Sequence, residues 1–268
     1  MRPGWPTLVL MLVLAAVPAA AAEPPSLARA RALYNAADFD GAISAAAVAR
    51  QIPDAADAAS LVLARAHLER YRRNANADDL TAARTALAGV HADVLTPRDR
   101  VDLLVGLGQS LFFGEVFGAA GELFDTALGS GNLLPARDRL MLLDWWASAL
   151  DREAQLREAE RRAPLFARIL DRMEQELRAD PGSHPANYWL AVAARGMGDI
   201  DRAWNAAVAG WVRAPLAADT AAALRADLDR LVTQVLVPER VRPRPAAEQE
   251  AATATVRAEW DLVKGQWP

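Results

Sequence analysis

Residues 101–131, VDLLVGLGQSLFFGEVFGAAGELFDTALGSG, decide the fold. Leu104, Leu107, Gly108 and Leu111 recur at three- and four-residue spacing, which places them on one face of a helix. Gly114 breaks the pattern, and Phe117, Ala120, Phe124 and Ala127 resume it on a second helix. Small residues at Gly108 and Ala120 let the two helices approach closely, while Phe117 and Phe124 fill the space beside them. The chain has no Asn-Gly hairpin signal and no sustained Val/Ile/Thr alternation. The expected class is all-α.

The same order of large and small residues returns along the chain. Leu190 and Ala191 form a large-small pair, Gly198-Asp199 a turn, Ile200 and Ala203 a second helix face, and Pro215 an end. Nearer the start, Ala30 is the small residue, Asp38-Phe39-Asp40 the turn, and Ala42 and Ala49 the small slots, with Pro53 beyond. Ala64 follows Ala30 by 34 positions and is preceded by Leu63. Gly108 follows Ala64 by 44, and the polar stretch Arg72 to Asp79 reads as an inserted loop before Leu80, Ala83, Leu87 and Val90. Residues 136–180 match least: Trp146-Ala147 could be the pair, but Arg152 to Arg178 is too long and too charged for one second helix. A break is expected there, with Pro164 in the first turn of a new helix.

This pattern resembles the tetratricopeptide repeat, a helix-turn-helix unit of ~34 residues. The resemblance covers most of residues 24–216. It implies an α-solenoid (superhelix) of about five helical hairpins with terminal capping helices. Residues 1–22 read as a signal peptide: Arg2, the apolar run Leu8 to Val17, Pro18, then Ala20-Ala21-Ala22 before Glu23. The repeat domain is expected at 23–236, including a capping helix from Ala218 to Val235. A proline-rich linker follows at 237–246 (Pro238, Pro243, Pro245), and an amphipathic helix at 247–268. Its Val256, Trp260, Val263 and Trp267 share a face, which either folds back on the stack or docks a partner.

Charge and composition narrow the function. The net charge is −4, with no basic stripe, which argues against nucleic-acid binding. With no cysteine there is no disulfide, thiol nucleophile or lipid-anchoring cysteine. His67, His91 and His184 have no metal-ligand spacing, so no metal and no cofactor are expected. Gly106-Leu107-Gly108 follows no strand and reads as packing, and no catalytic serine motif occurs. Charged runs such as Glu158 and Arg162, four apart, read as solvated helix faces. No catalytic residue is assigned.

The resemblance implies that first-helix residues line a concave groove. Carried over slot by slot, these are Arg31, Tyr34 and Asn35; Val105, Gln109, Phe112 and Phe113; and Tyr188, Val192 and Arg195. The weak unit gives Asp144, Ser148, Asp151 and Arg152. Such a mixture suits an extended peptide or protein tail, so the expected function is an exported scaffold for a protein or peptide partner in the cell envelope. The alternatives are a small-ligand module, which needs a closed apolar pocket, and a cell-wall enzyme. The enzyme needs a buried carboxylate held above its usual range.

Overall fold

Helix starts follow from local chemistry. Pro97 opens one helix with Thr96 as its cap: the Thr96 hydroxyl accepts from the Asp99 amide at 3.1 Å and donates to the Asp99 carboxylate at 2.8 Å. Asp38, Asp199 and Ser183 cap three others in the same manner. The structure, a computed structural model, describes residues 23–268; the expected leader, residues 1–22, lies outside the described residues. Every regular element among them is helical: α1 (Pro25–Asn35), α2 (Phe39–Ala49), α3 (Ala56–Asn74), α4 (Ala77–Ala88), α5 (Pro97–Phe113), α6 (Phe117–Leu128), α7 (Ala136–Gln155), α8 (Ala159–Ala179), α9 (His184–Gly196), α10 (Ile200–Arg213), α11 (Ala221–Leu231), α12 (Val237–Val241) and α13 (Gln249–Gln266). From α1 to α10 each helix packs on the next in sequence. In addition α1 touches α3, α3 touches α5, α7 touches α9 and α9 touches α11. The first helices thus neighbour one another in two runs, α1–α3–α5 and α7–α9–α11.

The small-residue slots do what the sequence asks of them. Ala30, Ala64, Ala147 and Ala191 are fully buried, as are Ala42, Ala120 and Ala203 on the second helices. A Cβ on Gly108 would stand 2.7 Å from Phe124 Cδ1 and closer still to Cε1. Phe124 is itself fully buried and has nowhere to move. Turns repeat as well. Ala37, Glu115 and Gly198 each stand seven positions after the small residue, and each adopts a left-handed backbone (φ 59°, 61° and 82°) directly before the next helix's cap. In the second unit the left-handed residue is Ala75 (φ 54°), eleven positions after Ala64.

That shift corrects the expected loop at Arg72 to Asp79. One extra turn extends α3 through Asn74, and Asp79 is already in the first turn of α4. Asp79 is 2 % exposed, accepts from Arg70 and is bonded to His67 Nδ1 at 2.7 Å, which ties α3 to α4. The break near residue 157 exists, but Pro164 is the sixth residue of α8 rather than part of its first turn. There it removes one backbone hydrogen bond. The buried stripe of Phe166, Ile169, Leu170 and Met173 outweighs that loss.

The expected linker at 237–246 is also corrected. Helix α11 continues through a π-helical turn, Val232–Leu236, into α12, and Pro238 sits at its start. A proline needs the preceding turn widened because it lacks an N–H and crowds the carbonyl four residues back, and a π turn supplies that room. The capping helix expected from Ala218 instead begins at Ala221, after a 3-10 stretch. Only a short segment from Arg242 to Pro245 then precedes α13, whose first full turn follows at Gln249.

Helix α13 folds back. Trp260 is 1 % exposed, with its ring 6.0 Å from Trp204 and 5.3 Å from Trp211. Its Nε1 donates to Asp229 at 2.7 Å, and Lys264 holds the same carboxylate at 3.0 Å. Burial alone would raise the Asp229 pKa, but these two donors outweigh it and hold the group below its ordinary range. Trp260 is therefore core and closed to any partner. Trp267 is half exposed, while its carbonyl accepts from Trp211 Nε1 at 2.8 Å.

Gly108→Ala is expected to lose about 1–3 kcal/mol in urea unfolding through overpacking against Phe124. The same change in a Phe124→Leu background should cost clearly less. Equal losses in both backgrounds would remove close helix approach as the reason for the glycine.

Candidate partner-binding groove

Charged side chains of α1, α3, α5 and α7 meet one another. Arg31 pairs with Asp99 at 2.9 Å and Glu23 at 2.8 Å. Arg65 pairs with Asp102 at 2.8 Å, and its guanidinium lies 4.9 Å above the Tyr34 ring. Arg98 bridges Asp102 at 3.3 Å and Asp138 at 2.8 Å, which joins α5 to α7. Burial opposes the Arg65 charge, but Tyr34, Asp102, Asp138 and Glu69 more than compensate and hold its pKa up. Burial also raises the Tyr34 pKa, against the pull of Arg65. Groups so desolvated and so paired are structural: removing one partner would strand the other.

Toward the carboxyl end, Arg195 of α9 grips Glu239 of α12 through both nitrogens, Nη2 at 2.6 Å and Nε at 3.0 Å. This bond is the largest influence on Glu239 and holds its carboxyl below the ordinary range. Between Arg195 and the amino-terminal network lies an open cavity of about 870 Å³. Tyr188 and His184 of α9, Asp144 and Met141 of α7, and Asp227 of α11 line it, with Leu216 at the edge. Asp144 accepts from Trp189 Nε1 at 2.7 Å, and His184 Nε2 meets Asp227 at 3.1 Å. The outer wall is fixed by a close approach, since a Cβ on Gly182 would stand 2.6 Å from the Leu216 carbonyl carbon. Two residues on, Ala218 holds φ 49° and ψ −124°, a conformation costing a non-glycine residue about 1–3 kcal/mol.

The sequence-predicted groove residues are thus divided. Arg31, Tyr34 and Arg195 are on the inner face but already engaged within the chain, and exposed Asn35 lies beside the first two. Gln109 is 2 % exposed and donates to Glu69 at 3.5 Å, so it faces the interior. Phe112 packs edge-on against Phe117 at 5.1 Å and Trp145 at 4.9 Å, covered by α6 and α7. Phe113 lies against Tyr71, and Val105 and Val192 are buried. Asp151 is half-buried and accepts from Gln155, while Ser148 is half-buried and Arg152 exposed. Tyr188 and Asp144 alone of the predicted set border the open cavity. Arg65 was missed although it occupies the slot of Arg31, one residue after the small Ala64, and the slot rule would have found it. Asp227 and Leu216 belong to no repeat slot.

Among the described residues no group of histidine and acidic side chains is arranged to hold a metal ion, and no helix is long and apolar enough to cross a membrane. Compared with protein-family models, curated proteins and solved structures, the chain finds no match in any of the three.

Desolvation is the main influence on Asp144 and raises its pKa; the Trp189 bond and His184 oppose this, and Asp227 adds to it. Asp144 is nonetheless an exposed residue, so solvent screens the effect and keeps it small. A raised folded pKa means that ionised Asp144 opposes folding at neutral pH, and that this opposition fades as pH falls through the folded value toward the ordinary ~3.9. Asp144→Asn, which keeps an acceptor for Trp189, should therefore raise the thermal midpoint at pH 7, with the gain shrinking toward pH 4. A midpoint lowered at pH 7, measured by calorimetry, would contradict this reading of the site.

Proposed function

We propose that the chain is an exported α-solenoid of tetratricopeptide-like hairpins that holds a protein or peptide partner against its first-helix face and serves as a scaffold in the cell envelope. The observation that carries this reading is the open cavity beside Tyr188 where α7, α9 and α11 neighbour one another. Repeated small-residue slots and left-handed turns support the repeat architecture, and the leader-like pattern of residues 1–22 supports export. The amino-terminal ion network keeps that half of the face closed and rigid, so the partner is read at the α7–α9 end.

A photoreactive phenylalanine analogue at position 188 in the full chain should give a discrete adduct in living cells. The same analogue at position 48, an exposed site on α2, should not. Equal labelling at both positions, or none at 188, would defeat the groove reading. A second reading is favoured by one observation: Asp144 lines an open cavity and desolvation pushes its pKa up, the direction a general acid needs. In that case the purified chain would release soluble fragments from cell-wall glycan and Asp144→Asn would not. Absence of release leaves the scaffold reading in place.

A further inference from the structure

The amino-terminal end of the face shows what the chain itself puts between a tyrosine ring and carboxylates. Tyr34 lies under the Arg65 guanidinium, and that guanidinium is neutralised by Asp102. The carboxyl end repeats the arrangement without an arginine. Tyr188 shares its cavity with Asp144 and Asp227, and among the described residues no guanidinium stacks on its ring.

The surrounding charge is one-sided. Asp144, Asp180, Asp219 and Asp227 line the cavity, against Arg137. Asp180 is occupied by the Gly182 amide, and Asp227 meets His184 and the exposed Arg230. Asp219 makes no ion pair among the described residues. Apolar surface lies alongside: Met141 is 42 % and Leu216 63 % exposed.

We propose that this cavity receives an arginine or lysine side chain from an extended partner segment, seated on the Tyr188 ring between Asp144 and Asp227, with a neighbouring aliphatic residue against Met141 and Leu216. The proposal rests on the groove reading above and adds the chemical character of the partner. A cation entering here exchanges water for a ring face and carboxylates, the combination that offsets its desolvation. An acidic side chain would meet three more carboxylates than arginines on the lining, and a neutral one would leave that excess of negative charge uncompensated.

The test uses fluorescein-labelled decapeptide pools with degenerate Ala/Leu/Ser/Gly flanks and a fixed central Arg, Lys, norleucine or Glu. Binding to the purified chain is read by anisotropy at about 150 mM salt. The Arg and Lys pools should bind about tenfold or more tightly than the other two. Asp144→Asn/Asp227→Asn should bring them to the norleucine level. Asp54→Asn/Asp93→Asn, which removes the same charge from exposed sites, should leave the preference intact. A norleucine or Glu pool that binds as well as the Arg pool overturns the proposal, as does no measurable binding of any pool or an equal loss in both double variants. In each case labelling at position 188 reports separately on the groove: if it persists, only the cationic partner is wrong, and if it fails, the groove falls with it.

Discussion

The close approach of paired helices at one small residue governs much of the remaining structure. Gly108 and Phe124 show it best, because the ring lies where a Cβ would be. Fully buried Ala30, Ala64, Ala147 and Ala191 hold the matching position in other first helices. Helices that meet this closely leave little interior volume to fill, so an alanine-rich chain can form a core without many large side chains. Where the separation widens, tryptophan fills it. Trp146, Trp204, Trp211 and Trp260 are buried, and Trp260 of α13 packs edge-on against both Trp204 and Trp211. The terminal helix is thus a consequence of the same constraint: the last pair would otherwise expose Trp204 and Trp211.

Fixing the hairpins does not by itself fix how successive hairpins sit. Charge pairs between first helices supply that second constraint. Arg31 with Asp99, Arg65 with Asp102 and Arg98 with Asp138 link α1, α3, α5 and α7 across one face. Such buried or half-buried pairs add little net stability compared with apolar packing, but they punish any rearrangement that separates them. They define geometry more than they add free energy. A residue that defines geometry in this way is no longer available to a partner, which is why an inner-face position and a binding position are different things here.

The extent to which the sequence reveals the molecule follows from the same distinction. Local patterns are legible: the small-residue slots, the turns after Phe113 and Gly196, and the break before α8 all follow from residues close together in the chain, whereas the turn expected at Asp38-Phe39-Asp40 falls earlier, at Ala36-Ala37, because Asp38 caps α2. The stretch from Arg72 to Asp79 was misread because a solvated helical turn and a loop share a composition, and only Ala75 and Asn76 lie outside helix there. Pro238 was misread because a π turn can absorb a proline, and no residue type announces one. For the site, slot rules locate Tyr188 and Asp144 but cannot say that Arg195 is taken by Glu239 or that Gln109 turns inward. Those facts depend on partners far away in sequence. Asp227 and Leu216, which complete the cavity, come from outside the repeats.

Along the inner face, the balance between carboxylates and cations therefore changes. At the amino-terminal end each aspartate has its arginine, and the arrangement is closed. At the α7–α9 end carboxylates exceed cations, partial desolvation pushes the Asp144 pKa up, and Ala218 keeps a strained backbone at the cavity edge. Neither feature helps the chain fold. Features that oppose folding and gather at one opening are consistent with the partner site proposed there. In the proposed complex a cation between these carboxylates would offset their mutual repulsion, so the cost to the folded state and the proposed affinity share a single electrostatic origin.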